Sequence, residues 1–487
     1  MAIPKEVKLI IEKLKKQGFE AYIVGGCVRD FLRDVEPKDW DVTTNARPEE
    51  IQKVFPDSFY ENKFLTVTVK TGSKKEKLKE IEITTYRLEG QYSDSRHPDQ
   101  VSFAKTLQDD LARRDFTINA IAIDLLGAGG KSKIIDFFGG QEDLKNKLVR
   151  AVGKSEERFS EDALRMMRAV RFATILDFKI EPATLLGIKD NAKKLKNISI
   201  ERIRDEFLKI IMADGAEQGV DLLREVGLLE FITPELLEGY NCGQNKHHIY
   251  DCYWHSLLAL KYAAKKGFNQ NVRLAALFHD VGKPRVKRGD GQDSTFYNHE
   301  VVGAKMTNNI LERLKFPKKD IEKIVRLVRY HLFYYNVDEV TDSSVRRLVR
   351  NVGPENMEEL LQVRMADRIG SGVPKAEPYK LRHLKYVVDK VAQDPISAKM
   401  LKITGNDIIK ILDIKPGPKI GQILDILLGI VLLDPKKNKK DFLNKEVENL
   451  GKLSDAELRE KANSAKKERE KTETKRDEMT KQKYWVT

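Results

Sequence analysis

The chain has 487 residues, with 88 Lys and Arg against 75 Asp and Glu, and a formal net charge of +13. This length predicts several domains, and the positive excess favours a polyanionic partner such as a nucleic acid. The apolar runs are too short or too interrupted by charge to span a bilayer, the first residues contain no apolar signal core, and the three cysteines form no close pair. These features argue against a membrane protein and a cysteine metal site, and we expect a cytoplasmic protein.

A glycine pair behind a short apolar run is the first informative stretch. Residues 21–24 predict a strand, and Gly25 and Gly26 follow it directly, with Arg29 three residues further on. Glycines at this place allow backbone amides to approach an anion, because no side chain stands in the way. The stretch therefore predicts a binding site for phosphate.

Asp39 and Asp41 flank Trp40 a few residues later. If a strand continues here, positions i and i+2 share a face, so both carboxylates project together while Trp40 points into the core. Two adjacent carboxylates repel unless a cation lies between them, and oxygen ligands favour Mg²⁺. In the later β-rich run 81–85, Glu82 faces away from its isoleucine neighbours and is a candidate third carboxylate.

Paired arginines mark the segment 110–120, which has the sequence DLARRDFTINA. Arginine offers forked donors that suit phosphate oxygens, and aspartate either orients the arginine or accepts from a ribose hydroxyl. An ordinary surface ion pair is the alternative. The candidate nucleotide-binding residues of this segment are Asp110, Arg114, Asp115 and Asn119.

The segment 161–172, EDALRMMRAVRF, predicts a helix with two faces. Leu164, Met167 and Val170 recur at helical period on the apolar face. On a second face, polar side chains follow at steps of three residues, and these are Asp162, Arg165, Arg168 and Arg171. On spacing alone, a solvated helix with salt bridges is the alternative, and from here on the chain predicts only helices.

Six of the eight histidines fall between residues 247 and 331, which marks a separate module. An adjacent His-Asp pair at a helix end, with further His and Asp from flanking helices, is a mixed nitrogen and oxygen ligand set. A buried structural histidine is the alternative for any single position. The candidate ligands are His255, His279, Asp280, His299, His331 and Asp367.

Lysine-rich helices are predicted beyond residue 370, and residues 454–483 interleave Glu and Lys with almost no apolar stripe. That last composition is typical of a solvated helix or a disordered segment.

In combination, these motifs resemble the bacterial class II CCA-adding tRNA nucleotidyltransferases, within the polymerase-β-like superfamily that includes bacterial poly(A) polymerases. The matching motifs are GGCVRD with DWD, RRDFTINA, EDALRMMRAVRF, ISIERIRDE and the histidine set of an HD domain. The resemblance implies an α+β, multidomain fold with a polymerase-β-like head of mixed sheet and helices, followed by all-α regions. The implied domains are a catalytic head (1–150), a helical neck and body for nucleotide selection and RNA binding (151–240), an HD metal-binding domain (241–370), a helical tRNA-binding tail (371–450) and a charged C-terminus (451–487).

The resemblance implies template-independent addition of CCA to the 3′ end of tRNA from CTP and ATP. Asp39 and Asp41 would hold two Mg²⁺ ions that activate the 3′-hydroxyl and stabilise the leaving pyrophosphate, and Glu82 matches a further acidic position. Gly25, Gly26, Arg29 and Arg114 would bind the triphosphate. The histidine set would hold a divalent transition metal such as Mn, Ni, Co or Fe, with phosphatase or 2′,3′-cyclic phosphodiesterase activity.

Asp162 and Arg165 match the family's nucleotide-selecting pair, and chemistry supports this role. Cytosine and adenine both present an amine donor beside a ring-nitrogen acceptor, which an aspartate and an arginine satisfy. Uracil and guanine reverse the pattern, and an unpaired charge-assisted bond costs about 1.5–3 kcal/mol. The alternatives are a poly(A) polymerase or A-only enzyme on the same scaffold, and a tRNA-binding HD hydrolase with an inactive head. The complete carboxylate and arginine set argues against the inactive head.

Overall fold

The computed structural model describes residues 2–61, 66–89, 101–126, 131–245, 249–392, 398 and 401–486. The chain divides into two compact units, Met1–Leu332 with Gln362–Pro374, and Phe333–Leu361 with Lys375–Thr487. Within the described ranges, no helix is both long enough and apolar enough to cross a membrane. His247 and His248, which the histidine-rich region includes, lie outside the described residues.

The N-terminal part of the first unit contains a mixed sheet, in which Asp41 and Glu82 lie. In chain order the described strands are β1 (Ala21–Val24), β2 (Asp41–Thr44), β3 (Ser58–Glu61), β4 (Thr66–Lys70), β5 (Glu80–Thr85), β6 (Arg87–Glu89), β7 (Val101–Phe103), β8 (Ile121–Leu126), β9 (Lys131–Asp136), β10 (Leu148–Val149) and β11 (Lys179–Ile180). The order in the sheet is β3-β4-β5-β2-β1-β8-β9, in which β2 and β5 run parallel and the other neighbours are antiparallel. Outside this sheet, β6 pairs with β7 and β10 pairs with β11.

Among the described residues, five α-helices accompany these strands, and the first covers the sheet with one apolar face. Val7, Ile10, Ile11 and Leu14 recur at helical period and are buried in the core that the sheet residues line. The helices are α1 (Lys5–Lys16), α2 (Gly26–Leu32), α3 (Pro48–Val54), α4 (Leu107–Ala112) and α5 (Gly140–Lys145). The mixed-sheet head is therefore present as predicted.

After the head, the described helices of the first unit follow as predicted, but the short strand β11 corrects the all-α prediction, because it lies between two of these helices and pairs with β10. The segment after the head contains α6 (Ser155–Glu161), α7 (Leu164–Leu176), α8 (Pro182–Asn191), α9 (Ile200–Ile211), α10 (Ala216–Glu225) and α11 (Pro234–Leu237). The histidine-rich region contains α12 (Cys252–Lys265), α13 (Gln270–Phe278), α14 (Lys283–Val286), α15 (His299–Arg313) and α16 (Lys318–Tyr330).

The second unit is helical and has its own apolar core. Leu427, Leu443, Val447 and Leu458 are among its fully buried side chains. Its helices are α17 (Asp342–Val352), the first turn of α18 (Met357–Gly370), α19 (Tyr379–Ala392), α20 (Gly405–Leu412), α21 (Pro418–Leu433), α22 (Lys440–Gly451) and α23 (Asp455–Tyr484). The Glu- and Lys-rich segment is thus a helix, which Ser454 begins by accepting a hydrogen bond from the backbone N–H of Glu457.

Candidate functional site

Three acidic side chains meet where β2 and β5 run side by side. Asp41 is in register with Glu82 of the parallel neighbour strand, so both side chains leave the same face of the sheet. Asp39 lies two residues upstream of Asp41. Burial and the charges of Asp39 and Glu82 raise the pKa of Asp41 to about 6, although Arg114 opposes the shift. The carboxylates therefore repel one another, and a divalent cation between them would relieve this repulsion.

Trp40 separates the two aspartates and is buried, as the alternation of the motif predicts. Its ring contacts the edge of Phe31, with centroids 6.4 Å apart. Asp39 itself is exposed and precedes the first residue of β2. The buried indole therefore fixes the backbone between one exposed carboxylate and one largely covered carboxylate.

The glycine pair borders this acidic group directly. Gly25 has a φ of +85°, and a Cβ at this position would lie 3.0 Å from Arg114 Nη1 and 3.4 Å from Asp41 Oδ2. Glycine thus permits the left-handed backbone and keeps the space between a cation and a carboxylate open. Gly26 is the first residue of α2, and a Cβ there would lie 3.7 Å from Arg29 Nη2.

Arg29 is oriented by two side chains at the side of the glycine turn. Its guanidinium makes a fork to Asp30, with both bonds at 2.9 Å, and donates from Nη1 to Asn119 Oδ1 at 2.9 Å. Asn119 in turn donates to Asp115 Oδ1 at 3.2 Å. Asp115 Oδ2 accepts from Arg168 Nε at 2.7 Å. A continuous polar network therefore links the head to the helix α7.

Asp110 is completely buried and orients the paired arginines. It accepts from Arg113 Nε at 3.0 Å and Nη2 at 2.8 Å, and lies 3.5 Å from Arg114 Nη2. Burial raises the pKa of Asp110, but the two guanidinium groups lower it by more, so the pKa lies below its ordinary value. These contacts favour orientation of the arginines, and not hydrogen bonding to a ribose hydroxyl, as the role of Asp110.

The structure corrects the prediction that Asp162 lies on a continuous helix with Arg165. Asp162 has extended backbone angles and separates α6 from α7. Its carboxylate accepts from the backbone N–H of Leu164 at 3.0 Å, a local bond that competes with helix formation. It also accepts from Arg202 Nη2 of α9 at 2.7 Å.

Arg165 is fixed by contacts on both sides of its guanidinium. Nη1 donates to Glu161, and Nη2 donates to the backbone carbonyl of Arg113 at 3.2 Å. Arg158 donates to the carbonyl of Ala112 at 3.2 Å. These carbonyls belong to the last residue of α4 and to the residue after it, where helix geometry leaves acceptors without an internal donor. The candidate base-reading arginine is therefore tied to the same loop that carries Arg114.

Arg168 and Arg171 continue along α7 toward the head. Arg168 pairs with Asp115. Burial raises the pKa of Asp115, but Arg168, with Asn119 and Arg165, lowers it by more, so the pKa lies below its ordinary value. Arg171 pairs with the buried Glu206 of α9 at 3.0 Å. Both arginines thus have fixed carboxylate partners and point toward the region of Arg29.

The six candidate metal ligands come together in one buried cluster. Their ligand atoms form two groups, each within 4.8 Å, and these groups are His255, His279 and Asp367, and Asp280, His299 and His331. Asp280 lies between them, with Oδ2 3.0 Å from His255 Nε2 and Oδ1 3.3 Å from His299 Nε2. Two adjoining sets of imidazole and carboxylate donors fit one or two divalent transition metals.

Backbone carbonyls set the orientation of three of these imidazoles. Nδ1 of His279, His299 and His331 lies 2.8, 2.8 and 2.7 Å from the carbonyls of Ala276, Phe296 and Val328. Because a carbonyl only accepts, Nδ1 is the protonated nitrogen of each neutral ring, which leaves Nε2 as the atom that can bind a metal in the cluster. Burial lowers the pKa of His279, but Asp280 and Asp367 raise it to about 10, so these carboxylates favour a positive charge here, which a proton or a metal ion can supply.

A cavity of about 690 Å³ opens onto this cluster, and cationic side chains lie along it. Lys283 Nζ lies 2.6 Å from Asp280 Oδ2 and donates to Gln244 Oε1 at 2.6 Å. Arg364 Nη1 donates to Asp367 Oδ2 at 2.6 Å. The cavity therefore combines metal-binding donors with cations that suit an anionic ligand.

Three family profiles match the chain. They are the poly A polymerase head domain over residues 21–150, the probable RNA and SrmB-binding site of polymerase A over residues 177–239, and the HD domain over residues 252–371. The CCA-adding enzyme of Ligilactobacillus salivarius is 35% identical over 479 residues, which cover 93% of this chain and 98% of that enzyme. The chain belongs to the CCA-adding enzyme family.

Further relatives agree with this membership. The CCA-adding enzyme of Enterococcus faecalis is 32% identical over 448 residues, which cover 90% of this chain and 94% of that enzyme. The crystal structure of the Bacillus stearothermophilus CCA-adding enzyme in complex with CTP has 27% identity and a TM-score of 0.59, and it covers 92% of this chain and 98% of that one. The predicted family and fold class are confirmed, and the chain is a tRNA nucleotidyltransferase.

The structure also shows partners of the site residues that the sequence did not reveal. Arg202 and Glu206 lie in the motif ISIERIRDE, where they bind Asp162 and Arg171. Their spacing from those partners, about 35–40 residues, carries no local signal. Lys283 follows the His-Asp pair by three residues, and this short spacing was the one available indication that it belongs to the cluster.

Proposed function

We propose that this enzyme adds C, C and A to the 3′ end of tRNA from CTP and ATP by two-metal nucleotidyl transfer. The observation that carries the proposal is the group formed by Asp39, Asp41 and Glu82 beside Gly25 and Arg114. The mutual repulsion of these carboxylates and their oxygen donors both fit a bound Mg²⁺. The nucleotide complex of the Bacillus stearothermophilus relative, which contains CTP, supports the choice of substrate.

Asp39 and Asp41 would hold the magnesium ions, with Glu82 next to them. When bound there, Mg²⁺ supplies the positive charge that lowers the pKa of the attacking hydroxyl and neutralises the leaving pyrophosphate. Arg114 and Arg29 lie on the two sides of the glycine turn and present forked donors to phosphate oxygens. Asp30 and Asn119 keep Arg29 in that orientation before a nucleotide enters.

Asp162 and Arg165 would read the base, because together they offer one acceptor and one forked donor. Their fixed partners, Arg202 and Glu161, limit rotation of both groups. A rigid pair rejects uracil and guanine more strongly than a mobile one, since it cannot turn to match the reversed donor and acceptor pattern of a wrong base. This arrangement selects C and A without a nucleic-acid template.

The test uses the enzyme with Mg²⁺ and a tRNA that ends at the discriminator base. Each nucleoside triphosphate is supplied separately and in mixtures. We expect two C and then one A to be incorporated, and no U or G. Unlimited A addition, or A addition only after CC, would instead support a poly(A) polymerase or A-only enzyme. Absence of any incorporation, with phosphate release retained, would support an inactive head. Asp41→Asn is the variant that should abolish addition, and Asp57→Asn is the exposed control.

We further propose that the HD cluster binds a divalent transition metal and hydrolyses a phosphoester. The support is the Nε2 atoms of three histidines in the cluster, the central position of Asp280, and the cations Lys283 and Arg364 along the cavity. Bound metal would supply Lewis acidity at a phosphoryl oxygen. A phosphatase and 2′,3′-cyclic phosphodiesterase assay with Mn²⁺, Ni²⁺ or Co²⁺ tests it. Asp280→Asn should remove hydrolysis, while Asp41→Asn should leave hydrolysis intact.

A further inference from the structure

One aromatic ring lies among three of the guanidinium groups in the candidate nucleotide site. The Cζ atoms of Arg171, Arg29 and Arg168 are 4.3, 5.2 and 5.5 Å from the centroid of the Phe172 ring. Arg29 belongs to α2 of the head, whereas the other two arginines belong to α7. The ring is therefore the shared contact of cations that come from separate parts of the chain.

These cations repel one another, and the effect is visible at Arg171. Burial lowers the pKa of Arg171, and the charges of Arg168 and Arg29 lower it further, while Glu206 and Asp115 oppose the shift. An aromatic face carries partial negative charge, so a ring near the three groups offsets part of the repulsion. An aliphatic side chain of similar volume has no such charge distribution.

Each of the three arginines also has a carboxylate partner of its own. Asp30 binds Arg29, Asp115 binds Arg168 and Glu206 binds Arg171. These pairs fix the individual side chains, and Asn119 and Asp115 also link Arg29 to Arg168. The Phe172 ring is a contact that Arg171 shares with both of these arginines.

Phe172 itself is held in place. It is buried, with 8% of its surface exposed, and it meets the edge of Phe116 with centroids 5.7 Å apart at 80°. Phe116 lies between Asp115 and the short helix that carries Asn119, both of which belong to the network of Arg29. The ring therefore has a fixed position relative to the arginines before any ligand enters.

Building on the proposed function, we propose that Phe172 is a positioning residue. It holds Arg29, Arg168 and Arg171 as one preformed binding surface for the polyphosphate of the incoming nucleoside triphosphate. A polyphosphate carries several negative charges along a short chain, which matches three converging forked donors. Preorganisation lowers the entropic cost of ordering these long side chains when the ligand binds. The ring acts through the arginines and need not touch the nucleotide.

The test compares Phe172→Leu, Phe172→Met and Phe172→Tyr in the full-length enzyme acting on tRNA with CTP. We expect the Leu and Met variants to raise the KM for CTP roughly tenfold with a kcat within about threefold of wild type. Phe172→Tyr keeps an aromatic face and should retain the wild-type KM. Inhibition by inorganic pyrophosphate should weaken in parallel with CTP, whereas inhibition by cytidine should not change.

Phe207→Leu is the matched control, because Phe207 is a fully buried ring of α9 over which the described part of the chain places no cation. It should lower thermal stability without a selective change in the KM for CTP. If Phe172→Leu does not fold, as judged by thermal unfolding, the Met variant replaces it.

Two results would overturn the proposal. One is a wild-type KM for CTP in the folded Leu or Met variant, and the other is an equal loss of CTP and cytidine affinity, which indicates general disruption. Failure of the wild-type enzyme to add C or A would instead count against the proposed function. Pyrophosphate binding by the wild type and its variants, measured by calorimetry, would still decide the role of Phe172 in that case.

Discussion

Arg202 donates two hydrogen bonds to the carboxylate of Asp162, from Nη2 at 2.7 Å and from Nη1 at 3.4 Å. Asp162 lies between two helices and has extended backbone angles. Its carboxylate also accepts from the backbone N–H of Leu164, the first residue of α7. Together with this local bond, Arg202 sets the direction in which the remaining acceptor positions of Asp162 point.

Arg202→Ala should relax base choice more than it slows correct addition. Without the two hydrogen bonds from Arg202, the Asp162 carboxylate rotates, and the free-energy penalty for binding uracil becomes smaller. We expect the ratio of C to U incorporation to fall about tenfold. This fold-change corresponds to the lower end of the free energy of a charge-assisted hydrogen bond. The measurement is kcat/KM for CTP and UTP on the same tRNA. Arg204→Ala on the same helix is the control, since Arg204 binds Asp205 and the Lys315 carbonyl. Equal selectivity in both variants would contradict the role of Arg202.

Arg165→Ala should have a larger effect, because it removes the predicted donor to the ring nitrogen. We expect discrimination against UTP and GTP to fall about 10- to 100-fold, which corresponds to about 1.5–3 kcal/mol. Binding of tRNA should change little, and filter binding of labelled tRNA measures that. An Arg165→Ala enzyme with intact selectivity would show that base choice lies elsewhere.

The sequence was sufficient for the parts of the site that depend on local pattern. Alternation placed Trp40 inward and Glu82 on the polar face, and histidines are rare enough that their clustering marked the second site. The prediction that Asp162 lies within a helix was wrong. The apolar residues recur at helical period across residues 161–172, but the hydrogen bond from Leu164 N–H to Asp162 interrupts the helix.

The tertiary partners were beyond the reach of local pattern. Arg202 reaches Asp162 across 40 residues, and Glu206 reaches Arg171 across 35, through the packing of α9 against α7. Neither contact leaves a periodic signal in the sequence, since pairing of distant side chains is set by how helices pack. The motif that contains Arg202 and Glu206 could be matched to the family, but its contacts could not be derived.

The two neighbouring glycines of the turn should respond differently to alanine. Gly25→Ala places a Cβ 3.0 Å from Arg114 Nη1 at a φ of +85°, which costs about 1–3 kcal/mol in backbone strain and displaces the arginine. Gly26→Ala meets its nearest neighbour at 3.7 Å and lies within a helix, where alanine is favoured. We therefore expect addition of C to fall at least about tenfold for Gly25→Ala, while Gly26→Ala stays within about threefold. Thermal unfolding and single-turnover addition measure the two effects, and equal losses would contradict the geometry.

Mg²⁺ binding at the head should weaken below a pH of about 6, the raised pKa of Asp41. The pKa of Asp41 in the folded protein exceeds its ordinary value of 3.8. Protonation of Asp41 therefore stabilises the metal-free fold at low pH, and this stabilisation is lost as the pH rises through about 6. Below that pH, Mg²⁺ must displace a proton, so its apparent affinity should fall about tenfold per pH unit. Calorimetric titration from pH 5 to 8 measures this. Asp39→Asn removes a charge that raises the pKa and should move the midpoint to lower pH, whereas Asp57→Asn should not.

Loss of the HD metal should lower stability without stopping nucleotide addition. A metal bound only by the folded state stabilises it by about 2.7 kcal/mol when present at 100 times its dissociation constant. His279→Ala and His331→Ala remove ligands from the two different groups of the cluster, so each should reduce bound transition metal and the unfolding temperature. Addition of C with Mg²⁺ should remain within about twofold, because the carboxylates of the head belong to a separate site. His383→Ala, in the second unit, is the control that should retain the metal. Elemental analysis and thermal unfolding provide the measurements, and full metal content in both ligand variants would show that the cluster does not bind it.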